Sequence, residues 1–86
     1  MGNKVIYELN NVNGKGKEYD NNYLLIFDGE YLDGKRWKGI EKEYYDNGKL
    51  RYEGEYLNGR KNGKGKEYDY YGRLQFEGEY LDGKKK

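Results

Sequence analysis

The side chains in this 86-residue chain that could do chemistry are carboxylates, amines and phenols: 16 Asp and Glu, 17 Lys and Arg, and 12 Tyr. Three chemistries deserve a test against their spacing. Paired carboxylates could exchange protons, the glycine-flanked lysines of Gly14-Lys15-Gly16 and Gly63-Lys64-Gly65 could cradle a phosphate, and basic residues beside an aromatic could meet an anionic surface. The carboxylates fall at every second position, as in Glu53 and Glu55 or Glu77 and Glu79, which is the pattern of a solvated strand face and implies no pocket. A phosphate loop needs its glycine turn between a strand and a helix N-terminus, and no helix is predicted after either Gly-Lys-Gly. Histidine and cysteine are absent, as are serine and threonine, so imidazole, thiolate and alcohol nucleophiles and the usual zinc ligands are missing. The chain is therefore expected to be no enzyme, with no catalytic residue, no metal and no cofactor.

Two groups of residues are candidates for binding. An aromatic stripe, Phe27, Tyr31, Tyr52, Tyr56, Phe76 and Tyr80, is expected to pack as a core, or to pack internally while also lining a groove for a peptide or a second subunit. A basic cluster around the single tryptophan, Lys35, Arg36, Trp37 and Lys38, fits a lipid headgroup layer or a partner anchor, unless Trp37 folds back over the sheet. Met1-Gly2 opens the chain as a myristoylation signal does, but position 6 is Ile6 where Ser or Thr is needed, so lipidation is not expected. The net charge of +1 gives no field to recruit nucleic acid. No window approaches a membrane span and no signal-peptide apolar region is present, so a soluble, cytoplasmic protein is expected.

What must position these residues is a repeat. Phe27-Asp28-Gly29-Glu30-Tyr31-Leu32-Asp33-Gly34 returns as Tyr52-Glu53-Gly54-Glu55-Tyr56-Leu57-Asn58-Gly59 and as Phe76-Glu77-Gly78-Glu79-Tyr80-Leu81-Asp82-Gly83, at steps of 25 and then 24 residues. A second block links them: Gly63-Lys64-Gly65-Lys66-Glu67-Tyr68 matches Gly39-Ile40-Glu41-Lys42-Glu43-Tyr44 and Gly14-Lys15-Gly16-Lys17-Glu18-Tyr19. The chain divides into a degenerate unit 1–26, units 27–51 and 52–75, and a half unit 76–86, all in one domain. The extra residue of the middle unit falls in Lys35–Lys38, where a turn is expected to absorb it.

Inside the first block, Leu50, Tyr52, Gly54 and Tyr56 alternate with Arg51, Glu53 and Glu55, the period of a half-buried strand. Asp33-Gly34, Asn58-Gly59 and Asn47-Gly48 supply the positive φ of hairpin turns. The expected fold is all-β: a single-layer antiparallel meander of consecutive hairpins, about seven strands by block counting, with no helix. The glycine between two aromatics either makes room for a ring from the next strand or permits twist. Lys64 and Lys66 share a parity with Tyr68, and either a bulge or lysine stems lying along the rings would reconcile them. Glu–Lys pairs across strands are expected to contribute at most about 1 kcal/mol each.

The pattern aromatic-Glu-Gly-Glu-aromatic, then Asn-Gly or Asp-Gly, then Gly-x-Gly and a later glycine closely resembles the MORN repeat, from about Tyr7 onward. Tyr52, Gly54, Tyr56, Gly59, Gly63, Gly65 and Gly72 sit where that repeat expects them, whereas Val5 replaces the strand glycine in the first unit and Glu41 replaces a Gly-x-Gly glycine in the middle one. The Lys-Glu-Tyr of the second block is similar to the variant MORN repeats of bacterial proteins. The resemblance implies an elongated hairpin rod that binds proteins or anionic lipid, with no catalytic residue. Self-association as a homodimer is the leading expectation, since a final strand with an open edge is a ready pairing surface. Anionic lipid binding, and an antitoxin or immunity role by analogy with bacterial members, are the alternatives.

Overall fold

The hairpin dipeptides set the sheet. In the computed structural model, Asp33-Gly34, Asn58-Gly59 and Asp82-Gly83 each hold two successive residues in left-handed backbone, with φ of 53° and 76°, 48° and 91°, and 52° and 87°. That is a type I′ turn, whose twist matches the strands it joins. The structure describes residues 6–7 and 14–86; Met1-Gly2 and the Val5 substitution lie outside them. The strands are β1 Ile6–Tyr7, β2 Gly14–Tyr19, β3 Leu25–Leu32, β4 Lys35–Tyr44, β5 Leu50–Leu57, β6 Arg60–Tyr68, β7 Leu74–Leu81 and β8 Lys84–Lys85. They form one antiparallel sheet whose spatial order is the sequence order. The predicted meander is thus present as six long strands flanked by two short ones, with no helix among the described residues.

At the opposite end of the sheet the turns are longer than the sequence suggests. Around Asn47-Gly48 only Gly48 is left-handed, at φ 84°, and the turn is closed by Gly48 N–H to Tyr45 O at 3.0 Å and Tyr45 N–H to Lys49 O at 2.9 Å. Asp69 repeats this geometry, and its carboxylate accepts from Tyr71 N and Arg73 N, both at 2.9 Å.

The two faces of the sheet differ. One carries the aromatic stripe. The other carries acids on β3, β5 and β7 and bases on β2, β4 and β6, so that Lys42 faces Glu53 and Lys66 faces Glu77 across the ladder, at 3.5 and 3.8 Å between charged atoms. Lys64 pairs with Glu79 on this same charged face. Beside Tyr68 the ladder does carry a bulge, but on β7: Glu67 pairs with Phe76 and Tyr68 with Leu74, leaving Gln75 as the extra residue, while Lys64, Lys66 and Tyr68 keep their shared parity along β6.

Two expectations need correction. Ile26 and Arg51 are extra residues of the same kind as Gln75, so the alternation breaks one residue before each first aromatic. Arg51 consequently reaches the ring face, where it meets Glu43 at 3.2 Å and lies 5.7 Å from the Tyr45 ring centroid. The insertion in the middle unit does not lengthen a turn. Asp33-Gly34 alone makes the turn, Lys35–Lys38 already belong to β4, and Trp37 is the bulged residue between the pairs Tyr31–Arg36 and Glu30–Lys38. A type I′ hairpin tolerates no extra residue at its tip, whereas a bulge holds one by leaving it out of the ladder. The Trp37 carbonyl then accepts the N–H of Asn58 from the next hairpin, at 2.6 Å.

Candidate functional site

The ring face is built from a set of side chains repeated at fixed offsets. Taking Phe27, Tyr52 and Phe76 as the reference of each unit, the residue nine positions on is Arg36, Lys61 or Lys85, and its cation stands 4.9, 4.4 or 4.5 Å from the reference ring centroid. Nine positions back lie Glu18, Glu43 and Glu67, which the same cations grip at 2.7, 2.9 and 3.2 Å. Four positions on lie Tyr31, Tyr56 and Tyr80. Tyr31 donates its hydroxyl to Glu18 at 2.5 Å, and Tyr80 donates to Glu67. Each unit therefore lays a cation over a ring and fastens it with a carboxylate. Strand order brings these three distant segments together, because the glutamate strand pairs directly with the ring strand.

The rings close on one another between units. Tyr56 packs edge-on against Phe27 at 5.3 Å and Tyr80 against Tyr52 at 5.4 Å, the edge-to-face geometry that ring quadrupoles favour. Phe27, Tyr31, Tyr52 and Tyr80 are 0, 3, 2 and 5% exposed, so most of the stripe is core. Tyr56 and Phe76 are half-buried. Phe76 touches Tyr80 of its own strand at 5.7 Å, but no tyrosine of a further unit covers it among the described residues. The strand glycines do make room for rings: a Cβ on Gly65 would lie 2.8 Å from Tyr80 Cε1 and 2.9 Å from the Tyr52 hydroxyl.

Sequence spacing identified the rings but not their clamps. Glu18, Glu43 and Glu67 looked like part of a solvated face, and Lys61 and Lys85 drew no attention. The available signal was their recurrence at the unit step. Of the basic cluster, Arg36 is not free for a ligand: it holds Glu18 through two bonds of 2.7 and 2.8 Å. Trp37 is half-buried at its bulge, while Lys35 and Lys38 are exposed.

Burial alone would raise the Glu18 carboxyl, but the Arg36 guanidinium and the Tyr31 hydroxyl outweigh it and hold the group below the usual 4.5. The Tyr80 hydroxyl and Lys85 do the same for Glu67. Glu41 is the opposite case, raised by burial and by the neighbouring Glu43 charge. For a depressed carboxyl the stabilisation is present above the unfolded value and is lost as pH falls through the folded value; for Glu41 it is present below 4.5 and lost as pH rises through its raised value. Melting temperature is accordingly expected to fall as pH drops below about 4, and the Glu41→Gln variant to be more stable than the parent at pH 7 but level with it at low pH. Thermal scans from pH 3 to 7 check both signs.

The repeat is broken at two adjacent places, one in each complete unit. The reference ring of unit 52–75 is Tyr52 where the others have phenylalanine, and among the described residues Tyr52 Oη is buried with no hydrogen-bond partner. Burial, followed by surrounding glutamates, pushes this phenol up to about 12. Removing a buried, unsatisfied hydroxyl relieves its desolvation penalty, so Tyr52→Phe is expected to stabilise the fold by about 1 kcal/mol in urea titrations. The second departure is Glu41, which pairs with Gly54 at a site where the other units carry Gly16 and Gly65.

No family model matches the chain, and no curated protein or solved structure matches it either. The functional reading rests on the geometry of this sheet and on the repeat.

Proposed function

We propose that this chain is a non-enzymatic, cytoplasmic binding and scaffolding module of the MORN-like type, and that it assembles with a second copy of itself through β7. The observation that carries the reading is the half-buried Phe76 ring on β7. Phe27 and Tyr52 are each covered by the tyrosine of a following unit, while the Phe76 ring is half-buried beside a strand whose outer edge, among the described residues, is bonded from Glu79 to Leu81, by β8 and the Lys86 N–H, and not from Leu74 to Gly78. A strand edge with free N–H and C=O groups next to an apolar ring is a template for another strand. Pairing β7 with β7 about a two-fold axis at Phe76 brings the two rings together on one face. The same register sets Gln75 opposite Glu77 of the second copy, which avoids opposing like charges. Such an isologous contact closes as a dimer.

Light scattering over a range of concentrations tests this. The parent chain is expected to approach twice its 10.3 kDa mass, and Phe76→Lys to stay at monomer mass with an unchanged circular dichroism spectrum. A monomer at every concentration in the parent would remove the reading.

One observation favours a second reading, contact with an anionic lipid surface. On the charged face, next to the hairpin tips, Leu32, Leu57 and Leu81 are exposed, and each is paired across the turn with a cation: Lys35, Arg60 and Lys84. A row of leucines alternating with bases, near Lys38 and Trp37, fits phosphate headgroups above acyl chains. Among the described residues no helix is long and apolar enough to cross a membrane, so such contact would be peripheral. It requires association with phosphatidylserine vesicles that fades with salt; equal sedimentation with neutral and anionic vesicles would exclude it.

A further inference from the structure

The charged face matches its own reversal. From β2 to β7 basic and acidic strands alternate, and one level of the sheet reads Lys17, Asp28, Ile40, Glu55, Lys64, Glu79 from strand to strand. All six are exposed. A two-fold axis parallel to the strands, midway between β4 and β5, reverses the strand order and leaves the level unchanged. It lays β4 over β5 of a second copy, β3 over β6 and β2 over β7. Asp28 then faces Lys64 of the second copy, and Lys17 faces its Glu79. At the next level Lys42 faces Glu53 of the second copy, since the two share a level within the chain. With the axis across the strands instead, each strand would lie over its own copy and acid would face acid, which destabilises.

Two further observations fit this axis. The first is Ile40, on β4 beside the axis. The aligned residues of the other second blocks are Lys15 and Lys64, so the lysine of the repeat is replaced where a residue comes next to its own copy. A charge there would be repelled, whereas an apolar side chain is not. Ile40 is 38% exposed, and beside it over β5 opens a cleft of about 500 Å³ lined by Ile40, Gly54, Gly65 and Gly78. The same rotation brings the Ile40 of the second copy over that cleft. The second is that Lys17, Asp28 and Lys64 are in no ion pair among the described residues. Pairing them between copies takes no charge from a partner in the same chain.

We propose that the charged face is a second self-association surface, on which two copies stack face to face about this axis, with Ile40 at the centre and Lys17, Asp28, Lys64 and Glu79 around it. Exposed ion pairs are individually weak and screened by salt, so the stack belongs to low ionic strength. It shares no strand edge with the β7 contact and does not depend on it. A copy can make both contacts, and at low salt the parent is expected to grow beyond a dimer.

The test separates the surfaces by salt and by charge. Phe76→Lys removes the β7 contact. In that background light scattering should give a dimer at about 0.01 M salt and a monomer at about 1 M, where the Debye length is about 3 Å. Adding Ile40→Lys restores the residue type of the other units, so the circular dichroism spectrum should persist while low-salt association weakens at least about tenfold. Asp28→Lys alone and Lys64→Asp alone, each in the Phe76→Lys background, should be monomers at low salt, because each sets like charges together twice. Mixed in equal amounts they should form a dimer, since every facing pair is then of opposite sign. A low-salt monomer of Phe76→Lys, a dimer indifferent to Ile40→Lys, or single variants whose mixture stays monomeric would each overturn the proposal. Light scattering on the parent at about 1 M salt reads the β7 edge alone, so failure of one surface is distinguishable from failure of the other.

Discussion

Gly39→Ala is expected, together with Gly29→Ala across the ladder, to be among the costliest single-methyl changes in the sheet. Gly39 pairs with Gly29, and a Cβ on Gly39 would stand 2.6 Å from Gly29 Cα, with the Asp28 carbonyl oxygen closer still. Neither obstacle is the end of a side chain that can swing away. To admit the methyl group, β3 and β4 must separate, and their ladder is what carries Arg36 to Glu18. Overpacking of this kind costs roughly 3 kcal/mol, set against a total stability of about 0.05–0.15 kcal/mol per residue. Gly78→Ala is the informative comparison, because the added Cβ would meet Phe76 Cζ at 2.8 Å, and a half-buried ring can tilt. The expected order in urea midpoints is parent, then Gly78→Ala, then Gly39→Ala by a wide margin. A Gly39→Ala midpoint equal to that of the parent would mean the close approach of the two strands is not needed.

Arg36→Ala carries the second large effect. Glu18 is 4% exposed, and among the described residues Arg36 supplies two side-chain hydrogen bonds to it and Tyr31 a third. Without the guanidinium, a buried carboxylate keeps only a neutral donor, and breaking a buried pair on one side costs about 3–5 kcal/mol. The change also strips the cation from the Phe27 ring, where it stands 4.9 Å from the centroid, a contribution of roughly 1 kcal/mol. Arg36→Lys is expected to recover little of this, since an ammonium cannot hold both carboxylate oxygens at once. Lys66→Ala, by contrast, removes an exposed pair of 3.8 Å and should change stability by less than about 0.5 kcal/mol. Chemical denaturation of the three variants ranks them; equal losses for Arg36→Ala and Lys66→Ala would show that the clamp is no more than surface charge.

The contrast between those two lysine and arginine positions explains what could be seen in the chain before it folded. Turns at Asp33-Gly34 and Asn58-Gly59, the alternation of Tyr52, Gly54 and Tyr56, and the unit step were visible because they depend on neighbours in sequence. Glu18 and Lys17 look alike to any local rule, both charged and both in a Lys-Glu-Tyr block. Only the pairing of β2 with β3 decides that Glu18 meets Phe27 while Lys17 meets Asp28, and that assignment depends on where a bulge falls. The bulges at Ile26, Arg51 and Gln75 leave no signature in residue type, so Arg51 was placed on the wrong face. Trp37 stands out in the sequence as the single tryptophan in a basic run, yet in the fold it is the bulge that shifts β4 along β3 and sets Glu41 opposite Phe27. What could be recognised without the fold was the departure itself, a glutamate where the repeat has glycine.

The most direct measurement of assembly through β7 is amide hydrogen exchange along Leu74–Gly78 at low and high protein concentration. In a single copy the amides that point away from β6 face solvent and exchange quickly. Pairing with a second copy is expected to slow those same amides as concentration rises, in step with the solution mass, while amides on β4 and β5 remain unchanged. Fast exchange at every concentration, or protection that rises equally across all strands, would contradict assembly through this edge.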